Sequence, residues 1–126
     1  MTGRVRVALA SRDRRFLRAT RFLLAREGYD VDSVGTPSRL LELAEKKQID
    51  VAVADGSGSL ATTARIAGAL AEAEQPVRLV IVADDTTTER LMTLPVLPKW
   101  DFERLRGEIE QAYLRASPVD GPHAVF

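Results

Sequence analysis

The sequence predicts one α/β domain built on a parallel sheet with helices on both faces. Strand patterns and helix patterns alternate from one end of the chain to the other, which is typical of successive βαβ units. Several strand segments are nearly continuous apolar runs, as expected for strands covered on both faces. With 126 residues, 45% of them hydrophobic, the chain is long enough for one core, and no internal repeat divides it.

The first strand and first helix are predicted from residues 4 to 27. Residues 4–10 are β-branched or apolar at alternate positions and become continuously apolar toward the end, which favours a central strand. Ser11 and Asp13 follow as candidate N-cap residues. The helix then extends to about Glu27, and Gly28 is a suitable C-terminal stop.

The next units are an edge strand, a helix and a buried strand. Residues 29–34 alternate apolar and polar side chains and carry charges, as an edge strand does. Thr36 and Pro37 predict an N-cap followed by a proline at the first helical position, opening a helix that ends near Lys47. Residues 50–55 form a buried strand that ends in a carboxylate.

The second half begins with an alanine-rich helix over residues 60–74 and a strongly hydrophobic strand over residues 77–83. Residues 86–94 are expected to form at most two turns of helix, because Pro95 restricts the residue before it. The fourth helix is therefore predicted to be short. Residues 95–98 form a fifth strand, whose prolines favour an edge position.

Asp101 is predicted to cap a last helix with an apolar stripe. The stripe consists of Phe102, Leu105, Ile109 and Ala112. Residues 1–116 are expected to be the folded domain, and residues 117–126 a flexible C-terminal tail. The resulting order, βαβαβαβαβ, predicts a five-stranded flavodoxin-like doubly wound sheet with strand order 2-1-3-4-5. Its ligand crevice would lie at the carboxyl ends of strands one and three.

Composition excludes several classes of function. Equal numbers of acidic and basic residues, 18 of each, provide no global attraction for nucleic acid or an anionic membrane. The chain has no cysteine, and its one histidine, His123, lies in the predicted tail. No segment is long and apolar enough to span a membrane, and no secretory signal is evident, so we expect a cytoplasmic protein. Without a nucleophile elbow or a histidine cluster, we expect no enzyme activity and no metal site.

Three segments resemble the receiver domains of bacterial two-component systems. They are the end of the first helix at residues 26–29, the third strand with its terminal Asp55, and the sequence Leu97-Pro98-Lys99. The resemblance covers residues 4 to about 115. It implies a signalling domain in which an acidic pair holds Mg²⁺, an aspartate accepts a phosphoryl group, a threonine or serine senses that group, and a lysine pairs with it.

The matching positions retain only part of this chemistry. Asp55 matches the phosphoacceptor and Lys99 the lysine, but the acidic pair falls on Ser11 and Arg12, and the sensing hydroxyl falls on Ala83. A shift of one residue would instead bring Asp13 to the second acidic position. Carboxylate attack on phosphorus requires a cation to offset the crowded negative charge, and a fixed arginine beside the site would repel Mg²⁺.

Two interpretations of Asp55 follow. In the first, it is a phosphoacceptor that uses unusual metal ligands. In the second, which we favour, it is a structural carboxylate paired with Arg12 or Lys99. Asp84 and Asp85 directly follow the fourth predicted strand, so either could also reach the crevice.

A third possibility is that the turn from Gly56 to Ser59 binds a small anion or a nucleotide, because its backbone N–H groups precede a helix.

Candidate interface residues lie outside the crevice. Arg14, Arg18 and Arg21 share one helix face, which is either a solvated face or a site for an acidic partner. Trp100 replaces the proline that follows the lysine in the family, and we expect it to fill the space left by the short fourth helix. Exposed, it would instead be an interface anchor.

The sequence therefore favours an atypical, stand-alone receiver-like domain that acts by binding another protein, without Mg²⁺-dependent phosphorylation of Asp55. The family resemblance implies a histidine kinase or another signalling protein as the partner, and a homodimer is an alternative. No cofactor is expected, and Mg²⁺ would be required only if Asp55 accepts a phosphoryl group.

Overall fold

The computed structural model describes residues 4–57, 59–73, 77–84, 90–91 and 94–116. Within these ranges the chain forms six strands and four helices in an alternating order. In chain order they are β1 (Arg6–Ala10), α1 (Arg14–Arg26), β2 (Asp30–Val34), α2 (Arg39–Lys46), β3 (Val51–Asp55), α3 (Leu60–Ala71), β4 (Arg78–Ala83), β5 (Arg90–Leu91), β6 (Leu94–Pro98) and α4 (Phe102–Ala116).

The strands form one sheet in the order β2-β1-β3-β4-β6-β5. The neighbouring pairs β2-β1, β1-β3, β3-β4 and β4-β6 are all parallel. Strand β6 is therefore the predicted fifth strand, and the parallel order is the expected 2-1-3-4-5. The flavodoxin-like fold class is thus confirmed. The central strands β1, β3 and β4 are buried over almost their whole length, which fixes the positions of their carboxyl ends.

The segment before β6 differs from the prediction of a short helix. Arg90 and Leu91 form a two-residue strand that runs antiparallel to β6, pairing with Pro95 and Leu94. The edge position predicted for the fifth strand is also wrong, because β6 has β4 on one side and β5 on the other. The rest of the predicted helix, residues 86–89 and 92–93, lies outside the described residues.

The helix starts follow the capping predictions in two of three cases. Asp13 caps α1 by accepting the N–H groups of Arg15 and Phe16, and Asp101 accepts the N–H group of Arg104 in α4. The predicted start of α2 is two residues early. Thr36 and Pro37 form a turn before the helix, and their carbonyl oxygens accept the N–H groups of Arg39 and Leu40. Ser38, the actual N-cap residue, makes no capping bond with its side chain.

The core has one layer on each face of the sheet. The layer under α2 and α3 is built mainly on the sheet residues Ala8, Ala52, Ala54 and Ile81, with Leu40, Ile66 and Leu70 from the helices. The layer under α1 and α4 contains Val7, Leu9, Val53 and Val82, with Phe16, Leu24, Leu105 and Ile109 from the helices. The predicted stripe of the last helix is confirmed: Leu105, Ile109 and Ala112 are buried and Phe102 is partly buried.

Among the described residues, no helix is both long and apolar enough to cross a bilayer. The predicted tail, residues 117–126, lies outside the described ranges, so the proposed domain boundary at residue 116 stays a prediction.

Candidate functional site

The carboxyl ends of β1, β3, β4 and β6 bring polar residues together at one edge of the sheet. Ser11 and Asp13 follow β1, Asp55 ends β3, Asp84 follows β4, and Lys99 follows β6. Parallel strands bring their carboxyl ends to the same edge, so residues far apart in sequence become neighbours. Of these residues, Ser11, Asp55 and Lys99 are buried.

Both carboxylate oxygens of Asp55 are occupied. Oδ2 accepts a hydrogen bond from the Ser11 hydroxyl at 2.6 Å and lies 2.9 Å from the Lys99 ammonium. Oδ1 accepts the backbone N–H of Ser57 at 2.9 Å. A carboxylate with only 8% of its residue surface exposed is stable only with such partners. Each carboxylate oxygen of Asp55 therefore has at least one partner.

Lys99 is the centre of a network of three carboxylates. Its Nζ lies 2.9 Å from Asp55, 3.0 Å from Asp13 and 3.8 Å from Asp84. Its side chain is only 4% exposed, and the ammonium lies 5.4 Å from the centre of the Phe16 ring. Lys99 thus places one positive charge among three carboxylates, and the cluster keeps a net negative charge.

The Lys99 network sets the pKa values of its members. Burial alone would raise the pKa of Asp55, but hydrogen bonds from Ser11, Ser57 and Lys99 outweigh it and lower that pKa below its ordinary value. The hydrogen bond from Lys99 and the capping bonds lower the pKa of Asp13. Burial opposes the charged form of Lys99, yet its bonds to Asp55 and Asp13 raise the Lys99 pKa. All three groups are therefore charged at neutral pH.

Asp13 has two roles, and they use different oxygens. Its Oδ1 accepts the N–H groups of Arg15 and Phe16 at the start of α1, at 3.0 and 3.2 Å. Its Oδ2 accepts the Lys99 ammonium at 3.0 Å. The first turn of α1 is thereby tied to the end of β6. The candidate N-cap and the candidate acidic ligand of the sequence are the same side chain.

Arg12 does not pair with Asp55. Its side chain is exposed, and among the described residues it forms no ion pair. The predicted pairing of Asp55 with Arg12 is therefore wrong, and the alternative pairing with Lys99 is the one that forms. Lys99 already satisfies Asp55 inside the crevice, whereas the longer guanidinium can remain in water. Ala83 is buried at the end of β4, and its carbonyl oxygen accepts the Lys99 N–H.

A cavity of about 410 Å³ opens beside Asp55. Its wall is rich in hydroxyl groups from the loops that follow β2 and β3. It is lined by Arg12, Asp13, Thr36, Pro37, Ser38, Asp55, Ser57, Ser59, Thr62 and Lys99. Ser57 and Ser59 belong to the predicted anion-binding turn, in which residue 58 lies outside the described ranges. Ser59 caps α3 by accepting the Thr62 N–H at 3.1 Å.

Trp100 does not fill the core, so the favoured prediction of a buried role is wrong. It is 55% exposed, and its ring packs edge-on against Phe16 at 5.6 Å between ring centroids. The neighbouring Lys99 ammonium lies 5.8 Å from the Trp100 ring. Trp100 therefore packs at the molecular surface, beside Phe16 and Lys99. It is available as an interface residue.

The arginine face of α1 is exposed as predicted. Arg14, Arg18 and Arg21 all lie in solvent and none joins an ion pair within the described part of the chain. Phe22 on the same helix is 61% exposed, and it is not among the interface residues predicted from the sequence. Helical periodicity could have identified Phe22, because it falls outside the buried stripe of Phe16, Thr20 and Leu24.

Sequence reasoning also missed the contribution of the loop after β2. Thr36, Pro37 and Ser38 line the cavity, although they attracted attention only as a helix start. The strand order contained the necessary signal, since β2 lies beside β1 and its carboxyl end faces the same edge. Phe16 at the start of α1 contacts both Lys99 and Trp100.

Comparison with known proteins identifies the fold. The chain is similar to the solved structure of the response regulator TrrA of Thermotoga maritima in complex with Mg²⁺ and BeF, with a TM-score of 0.74 and 12% identity over 86% of this chain and 98% of that one. It is also similar to an orphan response regulator of H. pylori, with a TM-score of 0.69 and 16% identity over 90% and 99% of the two chains. A third similar structure is a CheY-like receiver domain from Methylobacillus flagellatus, with a TM-score of 0.71 and 16% identity over 87% of this chain and 99% of that one.

The fold is that of response-regulator receiver domains, and the resemblance noted in the sequence is confirmed at this level. The chain spans nearly the full length of these three structures. No protein-family profile and no curated protein matches the sequence. Identities of 12 to 16% show a shared architecture, and function has to be argued from the site.

The residues at the crevice fit the magnesium ion of this fold poorly. The positions that the resemblance assigns to the acidic pair carry the Ser11 hydroxyl and the exposed Arg12 guanidinium. The carboxylates of Asp13, Asp55 and Asp84 share the Lys99 ammonium. Within the described residues, no three His, Cys, Asp or Glu side chains are grouped so that they could hold a metal ion. Mg²⁺ prefers several oxygen ligands with near-octahedral geometry, and this set of residues offers fewer carboxylates than the family's site.

Proposed function

We propose that this protein is an atypical receiver-like signalling domain that acts by binding another protein, and that Asp55 is a structural residue in it. The observation that carries this proposal is that Ser11, Ser57 and Lys99 all bind the Asp55 carboxylate, while Ser11 and Arg12 stand where the resemblance expects the acidic pair. A phosphoacceptor needs a metal ion to offset charge in the transition state. Lys99 supplies one positive charge beside Asp55 but does not replace the ligands of a metal ion.

The lack of a sensing hydroxyl supports the same conclusion. A phosphoryl group on Asp55 would have Ala83 at the position from which a serine or threonine responds in the family. A methyl group cannot donate a hydrogen bond to a phosphate oxygen. Even if Asp55 were phosphorylated, the domain would lack the hydroxyl that binds the phosphoryl group in the family.

Binding requires exposed surface, and two candidate surfaces are present. Trp100 offers a large exposed aromatic ring beside the crevice. The α1 arginines Arg14, Arg18 and Arg21 offer positive charge on the adjacent helix. A signalling protein such as a histidine kinase is the partner that the fold favours. A second copy of this chain is the alternative, which sedimentation of the purified protein over a range of concentrations distinguishes.

The proposal is tested by adding Mg²⁺ and beryllofluoride, an acyl-phosphate mimic, to the ¹⁵N-labelled protein. We expect the amide shifts of Asp55, Ser57, Ala83 and Lys99 to remain unchanged. TrrA of Thermotoga maritima, whose solved structure holds Mg²⁺ and BeF, is the positive control. Shifts at those four residues that disappear in Asp55→Asn would overturn the proposal and favour a phosphoacceptor receiver dependent on Mg²⁺.

A second candidate function is the binding of a small anion or a nucleotide in the cavity beside Asp55. The specific observation is that Arg12 lines this cavity while forming no ion pair in the described part of the chain. Its guanidinium can therefore bind a phosphate in two-point fashion. The hydroxyls of Ser38, Ser57 and Thr62 line the same cavity. Lys99 is not available for this purpose because Asp13 and Asp55 already occupy it.

Thermal unfolding in the presence of phosphate, pyrophosphate or adenosine monophosphate tests this second candidate. A bound ligand raises the melting temperature in proportion to the logarithm of its concentration. We expect the rise to vanish in Arg12→Gln and to persist in the matched control Arg39→Gln, which changes an exposed arginine outside the cavity lining. Equal responses of the two variants, or no response of the parent protein, would exclude a specific site at Arg12.

A further inference from the structure

Helices α2 and α3 leave an open groove between their C-terminal halves, on the sheet face opposite to α1 and α4. The groove has a volume of about 610 Å³. Five of its lining residues are apolar and come from the two helices and the residues that follow them: Leu41, Ala44, Ala69, Leu70 and Ala73. Ala69 and Ala73 are exposed. This α2–α3 groove is therefore an accessible apolar surface, separate from the crevice at Asp55.

A row of three residues on α3 borders the groove. Arg65, Ala69 and Glu72 follow the spacing i, i+4, i+7, which aligns them along one side of the helix. All three are exposed, and neither Arg65 nor Glu72 joins an ion pair within the described part of the chain. The two charges are about 10 Å apart along the helix axis, at 1.5 Å per residue. Both are therefore free to pair with a partner.

Gly68 lies in the middle of this row. Glycine is, after proline, the residue that least favours the interior of a helix. A methyl group at residue 68 would nevertheless meet no atom within 4 Å in this chain. Packing inside one copy therefore does not require a glycine at this position. Gly68 and Ala69 together leave room for a second backbone to approach closely.

We infer that the α3 row and the α2–α3 groove form a two-fold interface between two copies of this chain, with the two α3 helices antiparallel. In this arrangement Arg65 of each copy meets Glu72 of the other, and Gly68 and Ala69 lie where the helices cross. The methylene groups of each Arg65 cover Ala73 and the adjoining part of the groove. The surface thus complements itself, as a two-fold axis requires.

Charge selects the antiparallel orientation. In a parallel pair, Arg65 would lie against Arg65 and Glu72 against Glu72, and like charges in contact oppose association. The antiparallel pair replaces these two repulsions by two ion pairs. Guanidinium and carboxylate groups also match in their planar, two-point hydrogen bonding.

Other classes of partner fit this surface less well. Glu45 and Lys46 line the groove from α2, are exposed, and form no ion pair among the residues that the structure describes. With Arg65 and Glu72 they give two positive and two negative charges. Nucleic acid or an anionic membrane requires an excess of positive charge, and a strongly acidic or basic peptide requires an excess of one sign. A surface of mixed sign and zero net charge suits a second copy of itself.

The interface is small, so we expect reversible association. Helix α3 has 12 residues, which is about 18 Å of length, and α2 has eight. A contact between surfaces of this size lies at the low end of specific interfaces. We expect a dissociation constant of about 10 to 500 µM. The inference goes beyond the proposed function, because dimers of this kind leave Trp100 and α1 free to bind a different protein.

Sedimentation equilibrium of the full chain from about 10 µM to 1 mM, without Mg²⁺ or phosphodonor, tests the inference. We expect a monomer–dimer equilibrium in the parent protein. Arg65→Glu and Glu72→Arg should each weaken association by about tenfold or more, because each brings like charges together. The matched control is Arg18→Glu, which changes an exposed arginine on α1 and should leave association unchanged.

A mixture of the two weakened variants gives the sharpest result. In a mixed pair every carboxylate at positions 65 and 72 faces an arginine, so Arg65→Glu and Glu72→Arg should bind each other about as tightly as the parent protein binds itself. Arg18→Glu has the same net charge as Arg65→Glu, but it should not bind Glu72→Arg with that affinity. Gly68→Gln places a long side chain where the helices cross. It should weaken association by about tenfold or more without lowering the urea midpoint of the monomer.

The inference is overturned if the parent protein stays monomeric at about 1 mM, whether the groove is then covered by residues 117–126 or by a different protein. It is equally overturned if dimers form but Arg65→Glu does not weaken them, or if the mixture does not recover. Arg65 and Glu72 are exposed, so the variants should retain the fold, as circular dichroism can verify. Phosphorylation of Asp55 would overturn the proposed function alone, whereas a monomeric parent protein would overturn this inference alone.

Discussion

The Lys99 ammonium lies 2.9 Å from Oδ2 of Asp55, and the two side chains are only 4% and 6% exposed. The same oxygen accepts the Ser11 hydroxyl at 2.6 Å. Burying a carboxylate or an ammonium alone costs several kcal/mol, so each group depends on the other. The pair joins the end of β6 to the centre of the sheet.

Replacing Lys99 by Met is expected to destabilise the protein strongly. Methionine preserves much of the volume but leaves the carboxylate of Asp55 buried without a cation. We expect the free energy of unfolding to fall by about 3 kcal/mol, the usual cost of breaking a buried ion pair from one side. Urea unfolding followed by circular dichroism measures the change.

Two controls make the Lys99→Met result specific. Asp55→Asn should cost less, about 1–2 kcal/mol, because Lys99 keeps Asp13 at 3.0 Å and the amide retains hydrogen-bonding capacity. Lys47→Met removes an exposed ion pair with Asp32 and should change stability by less than about 1 kcal/mol. If Lys99→Met were no more harmful than Lys47→Met, the central role of the Lys99 network would be wrong.

Stability should depend on pH at both extremes. The pKa values of Asp13 and Asp55 are lowered by folding, so their contribution is complete above the unfolded value of about 4 and is lost as pH falls below it. The pKa of Lys99 is raised, so its contribution is complete below the unfolded value of about 10.4 and is lost as pH rises through the folded value.

Urea midpoints measured from pH 2 to 11 test these two transitions. We expect a plateau near neutrality, an acid decline that is shallower in Asp55→Asn, and an alkaline decline that is reduced in Lys99→Met. An acid decline of the same steepness in Asp55→Asn would show that other carboxylates account for it.

Trp100 provides a direct optical test of the surface beside the crevice. Because its ring is 55% exposed, we expect emission typical of a wet indole and ready quenching by acrylamide. Trp100→Ala should cost less than about 1 kcal/mol, whereas Phe16→Ala, which empties a core position, should cost about 3–5 kcal/mol. Blue-shifted emission protected from acrylamide would contradict the exposed position.

The residues at the family's acidic positions can be exchanged to test why the site does not suit a metal ion. In Ser11→Asp/Arg12→Asp, two new carboxylates beside Asp55 should repel one another and lower the melting temperature. Millimolar Mg²⁺ should then raise the melting temperature of this variant but leave that of the parent protein unchanged. The control is Ser11→Asn/Arg12→Gln, which has similar volume without the charges. A parent protein stabilised by Mg²⁺ as strongly as the acidic variant would contradict this account.

The sequence was sufficient for the parts of the structure that depend on local pattern. Apolar runs located the parallel strands, and the caps Asp13 and Asp101 were predictable because an aspartate before an amphipathic segment satisfies the free N–H groups of a helix. The meeting of Asp55 and Lys99 followed from the strand order, since both lie at carboxyl ends of parallel strands.

The parts that could not be predicted depend on competition between alternatives. Arg12 and Lys99 could both reach Asp55 in principle, and only the packed geometry shows that Lys99 takes it. Pro37 fits the first turn of a helix and also a preceding turn, and local sequence does not distinguish the two. The antiparallel pairing of Arg90 with Pro95 arises from tertiary contact with the sheet edge, which overrides local helix preference.

The central claim is that Asp55 does not accept a phosphoryl group, and the most direct measurement is intact mass after incubation with acetyl phosphate and Mg²⁺. The parent protein and Asp55→Asn are treated in parallel, with a phosphorylatable receiver as the positive control. We predict that neither the parent protein nor Asp55→Asn gains a phosphoryl adduct while the positive control does. An adduct that forms on the parent protein and is absent from Asp55→Asn would contradict the account.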